Sequence, residues 1–376
     1  MQPGKRLLLI LLRGVSLFLA HLKYYLKLFL SLFGQAPITV LAYRGYGRRD
    51  HLFLQGRVLK NKVITTSPTD SVWRNIVNNY KRFGSAEIRS AQLQVRIGGN
   101  TFDLVTDREG YFYLDQPLPY PLKPSEKKKW REATVHLVRT RRREINVTRT
   151  AKILVPGKAE FGVISDIDDT ILITEVTSLL KLKMLYLTFF KNVNNRQTFQ
   201  AVEAFFRALQ RGKEGNRRNP FFYVSKSPWN LYDFLEDFIE LNDLPRGPLM
   251  LRDIGLFPQR FPFEMFDRQY RGHKIAAVAH ILRMYPDMPF ILIGDSGEKD
   301  TDIYLTIARA FPQQVKAIYI HDLKNKRGRM RILRLIAESG VDNIKLVRSY
   351  REAAEDAEKL GFLDMQIFEA FGSGQR

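Results

Sequence analysis

The chain has 376 residues, 45% hydrophobic and 26% charged, a length and balance that suit two or three domains and exclude wholesale disorder or a collagen-like chain. It has no cysteine, which excludes a disulfide framework, a thiolate nucleophile, an iron–sulfur cluster and any cysteine-based zinc site. Its net charge of +21 is uneven: residues 1–156 hold 28 basic and 10 acidic residues, residues 157–376 hold 32 and 29, so the first part is suited to approach an anionic partner, a phospholipid surface or nucleic acid.

Residues 7–33 are rich in Leu and Phe, but the longest run there without Lys or Arg is Gly14–Leu22. That is too short for a span of ~20 apolar residues, and Arg13 interrupts the unbroken core a signal peptide needs. On a helix, Lys5, Arg6, Arg13, Lys23 and Lys27 share one arc and most Leu and Phe residues take the rest. A wide apolar face with a basic stripe predicts an amphipathic helix over 1–36 lying in an anionic membrane interface.

From Pro37 to Pro156 short alternating apolar runs (ITVLAYRGYG, LFLQGRVL, LQVRIGG, GYFYLDQPL, ATVHLV, AKILV) are separated by Gly, Pro, Asn and Asp. This spacing predicts a small basic β-sandwich-like domain over 37–156, with one helix over Ser71–Phe83. The runs Lys127–Arg131 and Arg141–Arg143 offer a second contact to an anionic surface, or are solvated strand ends. Gly45 and Gly47 are too few for a dinucleotide loop.

Residues 157–376 alternate strand and helix. FGVIS is a buried-strand run that leads into Asp166, Asp168, Asp169 and Thr170. Carboxylates crowded at a strand end repel one another unless a cation neutralises them, and the carboxyl ends of parallel strands are where open α/β sheets place their sites. FFYV then ends at Ser225 with Lys226-Ser227-Pro228 behind it. Lys274 starts a helical run, and FILIG leads into Asp295 and Asp300. Singly these have plain readings: a turn serine, a solvated lysine, carboxylates at a helix start. Ser296 in GDSG does not form the GxSxG elbow of a serine hydrolase.

The ordered set DxDDT, Ser, Lys, GDxxxxD resembles the four motifs of the haloacid dehalogenase superfamily of phosphotransferases. DIDDTI, FFYVSKSPWNLYDFL, Leu251-Arg252-Asp253, the His273-Lys274 pair, FILIGDSGEKDTDIY and AIYIHDL narrow it: residues 161–323 resemble the actin-patch type of Mg²⁺-dependent phosphatidate phosphatase. YRGYG and GRVL resemble the region that precedes the catalytic domain in that family. The resemblance implies a Rossmann-like α/β catalytic domain over 157–376 with a parallel sheet.

It also implies roles. Asp166 would be the nucleophile and Asp168 the general acid, then base. Mg²⁺ would be held by Asp166, the Asp168 backbone carbonyl and Asp295, with Asp300 as a ligand through water or an anchor for Asp295. Ser225, Thr170, Lys226 and Arg252 would line the substrate, and Lys274 would stabilise phosphoryl charge. Asp169 would organise the loop, and residues 171–198 would cap the site. Two departures stand out: Lys226 follows Ser225 where relatives commonly carry a small residue, and His321 stands where an Arg is often found. No Pro-rich recruitment segment is evident, so the actin connection is not carried over.

The expected activity is hydrolysis of phosphatidate to diacylglycerol and phosphate by a cytoplasmic protein peripheral to the membrane, with no obligatory protein partner evident. Two other readings stand beside it: a phosphatase of soluble phosphomonoesters or nucleic-acid ends, and a non-catalytic membrane or nucleic-acid binder. Residues 324–376 are expected to close the α/β domain with a basic stretch, a mixed-charge helix near Tyr350–Leu360 and a frayed tail.

Overall fold

The computed structural model describes residues 37–60, 86–124, 129–141, 144–167, 193–252, 272–296, 299–323 and 326–373. The amphipathic helix expected over 1–36, the helix over Ser71–Phe83, residues 171–192 of the cap expected over 171–198, and Lys127, Lys128, Asp168, Asp169 and Thr170 lie outside the described residues, and 193–198 open the helix Val193–Arg211.

The carboxyl-terminal part is built on six parallel strands: β10 (Gly162–Asp166), β11 (Phe221–Pro228), β12 (Leu249–Arg252), β13 (Phe290–Asp295), β14 (Val315–His321) and β15 (Ile344–Val347). Their order is β12-β11-β10-β13-β14-β15. Counted from β10, that is the 3-2-1-4-5-6 order of doubly wound sheets, with the order reversing between β10 and β13. Strands β10 and β13 are buried along their whole length, which is why they read as continuous apolar runs.

Helices cover both faces. Helix α1 (Val193–Arg211) and α2 (Tyr232–Leu241) pack on one face with α6 (Tyr350–Lys359) and α7 (Met365–Gly372), against Val163, Tyr223, Ile291 and Tyr319. Helix α3 (His273–Met284), α4 (Asp300–Ala310) and α5 (Lys326–Ser339) cover the other, against Ile164, Phe222, Leu292 and Ile318. Alternate strand residues serve alternate faces, as a pleated sheet requires.

The carboxyl-terminal tail is not frayed through residue 372. Asp364 caps α7 by accepting from the Gln366 amide at 2.8 Å, and buried Phe368 with Met365, Ile367 and Phe371 packs it on the core.

The described residues of 37–156 form one nine-stranded, mostly antiparallel sheet rather than a separate pair of sheets. The long strand β3 (His51–Lys60) carries β2 (Gly45–Gly47) and then β1 (Ile38–Ala42) along one edge. It also pairs with β7 (Tyr111–Pro117) and β4 (Ala86–Glu87). From β2 the sheet continues through β9 (Glu144–Leu154), β8 (Trp130–Arg139), β5 (Gln92–Ile97) and β6 (Asn100–Val105). It curls around a core of Val40, Leu54, Val58, Leu93, Val135 and Ile153.

The two sheets also share cores. Tyr46, Phe53 and Leu154 pack in one cluster with Ile164 and Phe222, and Tyr43 and Tyr111 in another with Val163 and Trp229. Polar contacts seal this seam. The Tyr46 hydroxyl lies 2.6 Å from His280 Nδ1, and the Asp115 carboxylate bonds His280 at 3.0 Å and His51 at 2.8 Å. Burial pushes the Asp115 carboxyl up, but the hydrogen bonds and charge of His280 and His51 outweigh it and hold it well below the usual carboxylate range. The Tyr285 hydroxyl accepts from the Gly47 amide at 3.1 Å. A Cβ on Gly45 would run into the Phe53 carbonyl, so this glycine serves close strand approach and not phosphate binding.

Candidate active site

Three carboxylates and one ammonium converge at the reversal point of the parallel sheet. Asp166 ends β10, Asp295 ends β13, Asp300 opens α4 and Lys274 lies in the first turn of α3. Their exposures are 7%, 7%, 0% and 3%, so water does little to separate their charges. Lys274 Nζ stands 2.7 Å from Asp166 Oδ2 and 2.8 Å from Asp300 Oδ1. One ligand oxygen from each of Asp166, Asp295 and Asp300 lies within 4.8 Å of the others.

Local backbone explains the convergence. Gly294 precedes Asp295, and a Cβ there would sit 2.7 Å from Asp300 Oδ2 and 2.8 Å from a Tyr304 ring carbon. Its absence lets α4 fold back on β13, where the Tyr304 hydroxyl donates to the Ile293 carbonyl at 3.0 Å. Burial, then the nearby carboxylates led by Asp300, raise the Tyr304 hydroxyl well above its ordinary pKa, so it stays a protonated donor. The Asp295 amide lies 3.5 Å from the other Asp300 oxygen. Asp300 therefore orients both Lys274 and the Asp295 backbone.

Among the described residues one ammonium faces three buried carboxylates, a crowding of like charge that a bound cation would relieve. All donors are hard oxygens, and hard oxygens in a tight carboxylate group suit a divalent cation such as Mg²⁺. The residues present fit a metal ion.

Ser225 lies beside this group. β11 pairs with β12 at Val224↔Met250 and again at Pro228↔Arg252, so Ser225, Lys226 and Ser227 bulge from the ladder opposite Leu251 alone. Ser225 is fully buried and its Oγ accepts from the Ser227 amide at 2.9 Å. Lys226 is half-buried, and Arg252 is exposed at the end of β12. Asp168 and Thr170 lie outside the described residues. His321, at the end of β14, lies tilted against Tyr350 with ring centroids 5.0 Å apart.

The motifs assign no role to His273, which the structure places in a joint. Its Nε2 bonds the Met250 carbonyl at 3.0 Å. Burial pushes this imidazole down to about 4, so it is neutral at physiological pH, and its bond to Met250 ties α3, hence Lys274, to β12. Its position directly before Lys274 was visible in the sequence, but its partners were not.

These features decide where the chain resembles known proteins. Residues 161–322 match the catalytic domain of phosphatidate phosphatase APP1. That stretch holds every catalytic and metal-binding residue that the sequence motifs single out. Phosphatidate phosphatase APP1 of Saccharomyces cerevisiae is 36% identical over 165 residues, 44% of this chain and 26% of the yeast chain. An uncharacterized protein of Schizosaccharomyces pombe is 28% identical over 223 residues, 59% of this chain and 34% of that one. The chain thus spans about a quarter to a third of the length of these curated relatives. A carbohydrate acetylesterase from Xanthomonas citri aligns over 76% of this chain and 68% of its own at 9% identity, but a TM-score of 0.21 gives it no bearing on fold or function.

Proposed function

We propose that this chain is a Mg²⁺-dependent phosphatidate phosphatase of the haloacid dehalogenase type, releasing diacylglycerol and phosphate. The observation that carries the reading is the Asp166–Lys274–Asp300–Asp295 group at the reversal point of the sheet, inside the segment that matches the APP1 catalytic domain. In this reading 157–376 is the catalytic unit, 37–156 a basic β unit and 1–36 the membrane-facing helix.

Asp166, Asp295 and the Asp168 carbonyl would hold the cation, with Asp300 behind them. When bound, Mg²⁺ supplies charge neutralisation for the phosphoryl oxygens and the carboxylates.

The chain's own groups do the rest. An Asp166 oxygen attacks phosphorus in line, and the bond from phosphorus to the glycerol oxygen breaks. Asp168 gives its proton to the departing alkoxide. As a carboxylate it then takes a proton from the water that attacks the aspartyl phosphate, which frees phosphate and restores Asp166. Lys274 stabilises charge on the transferring group, and it holds Asp166 by a 2.7 Å contact that fixes the attacking carboxylate. A hydroxyl whose oxygen accepts from an amide can donate its proton onward, and Ser225 would donate to a phosphoryl oxygen, with Lys226, Arg252 and Thr170 around the substrate. A substrate on a bilayer fits the basic charge of residues 1–156. Among the described residues no helix is long and apolar enough to cross a membrane.

The test is Mg²⁺-dependent phosphate release from phosphatidate in mixed micelles, parent beside Asp166→Asn, with a soluble aryl phosphate in parallel. Release from the lipid that vanishes in the variant and with chelator is expected. Turnover of the soluble ester alone would remove the lipid and keep the chemistry. No turnover of either would leave a binding protein.

A further inference from the structure

We propose that Tyr43 and Arg57, in the β region and outside the matched catalytic segment, are positioning residues for the Ser225–Ser227 bulge. The inference rests on the phosphatase reading of Ser225 given above.

The bulge is held differently at its two ends. At its start, Val224 pairs with Met250, whose carbonyl His273 bonds at 3.0 Å. At its finish stand Pro228, Trp229 and Asn230, and the β region grips these. The Tyr43 ring stacks on Trp229 with centroids 4.4 Å apart and planes 20° apart, and it packs on Tyr232 at 4.4 Å. Arg57 Nη1 donates to Asn230 Oδ1 at 3.3 Å. The gripping groups are themselves fixed. Arg57 donates to the Glu109 carbonyl at 2.9 Å and to Glu87 at 3.2 Å, and its guanidinium lies 4.5 Å from the Tyr111 ring centroid. The Tyr43 amide donates to Gln55 at 3.1 Å, and the next residue, Arg44, holds the Tyr232 hydroxyl at 2.8 Å and Glu236 at 2.9 Å.

Within the bulge only Leu251 stands opposite three β11 residues, so the ladder constrains it little. Its shape is then set by its two ends. Displacing a positioning group by about 1 Å can cost on the order of 10²-fold in rate. A grip on Trp229 and Asn230 therefore sets where the Ser225 hydroxyl stands relative to Asp166. The Tyr46–His280–Asp115 contacts also join the two sheets, and they touch α3 and not the bulge.

The test uses the full chain with Tyr43→Phe, Tyr43→Ala and Asn230→Ala, the last removing the acceptor on the bulge side while leaving the β region untouched. Two quantities are read: amide hydrogen exchange across residues 225–231, and the inhibition constant of inorganic phosphate. The expected result is a rise of about tenfold in both for Tyr43→Ala, a smaller rise for Asn230→Ala, parent behaviour for Tyr43→Phe, and unchanged exchange in β13 and β14. The proposal is overturned if exchange in 225–231 stays at the parent level in folded Tyr43→Ala and Asn230→Ala. It is equally overturned if exchange rises there while phosphate inhibition does not move. If Tyr43→Ala loosens the whole protein, Asn230→Ala decides by the same two readings. A parent that hydrolyses no ester would sink the phosphatase reading, and the exchange arm would still judge the grip.

Discussion

The Lys274 ammonium and the Asp166 carboxylate meet at 2.7 Å with almost no water on either. The same ammonium is shared with Asp300, so one cation tethers carboxylates from β10 and α4. Lys274→Met should lower turnover by on the order of 10²-fold or more, by removing both charge stabilisation and the hold on Asp166. It should also cost about 3–5 kcal/mol of stability, because breaking a buried pair leaves charge uncompensated. Added Mg²⁺ should restore more melting temperature to this variant than it adds to the parent, since the carboxylates have lost the Lys274 charge. Thermal unfolding with and without Mg²⁺ checks this.

Metal removal gives a second expectation. A cation that binds only the folded chain stabilises it by about 2.7 kcal/mol at a hundredfold excess over its dissociation constant. Chelation of the parent should lower the melting temperature accordingly, and Asp295→Asn should shrink that difference. A chelator effect of equal size in Asp295→Asn and parent would remove Asp295 from the ligand set.

Gly294 offers a steric test. Its added Cβ would meet Asp300 Oδ2 at 2.7 Å and Tyr304 at 2.8 Å. Gly294→Ala should destabilise the fold by about 1–3 kcal/mol through overpacking and should impair turnover by moving Asp300 off Lys274. Denaturant titration and steady-state rates should fall together. Unchanged rates would mean that Asp300 tolerates displacement.

Much of this centre was legible in the chain. β10 and β13 are buried on both faces, so they had to be unbroken apolar runs, and a carboxylate at the end of such a run stands out. Ser225 and Lys274 gained meaning only from their order among the motifs. The β region was legible as strands, but its pairing was not. β2 runs parallel to β9 across more than a hundred residues, a relation that local alternation does not encode. YRGYG was visible as a motif, yet its partners Tyr232, His280 and Tyr285 lie some two hundred residues away. The tail helix α7 was missed because its order comes from a capping aspartate and from packing of Phe368, Met365, Ile367 and Phe371 on residues far away in the chain.

The two depressed titrations predict an acid limb in two steps. Burial pushes His273 down to about 4 in the folded chain, whereas an unfolded histidine titrates near ~6.5. Between those values the unfolded state binds the extra proton, so this contribution is whole above ~6.5 and is lost as pH falls toward 4. Asp115 is also depressed. Its contribution is present above the ordinary aspartate value of about 3.8 and is lost as pH falls below it. His273→Gln should flatten the first step and Asp115→Asn the second in a plot of unfolding free energy against pH. A first step that survives His273→Gln would assign it to another group.

The seam between the sheets has a consequence for dissection of the chain. Tyr46, Phe53 and Leu154 complete a core whose other half is Ile164, Phe222 and α3, and Gly47 supplies the partner of the Tyr285 hydroxyl. A cut just before Phe161 would respect the edge of the recognised catalytic segment and yet expose this apolar surface. Melting of the intact chain should accordingly be a single calorimetric transition, and the excised fragment should self-associate when expressed alone. For this protein the smallest foldable piece should then be larger than the piece that sequence comparison outlines.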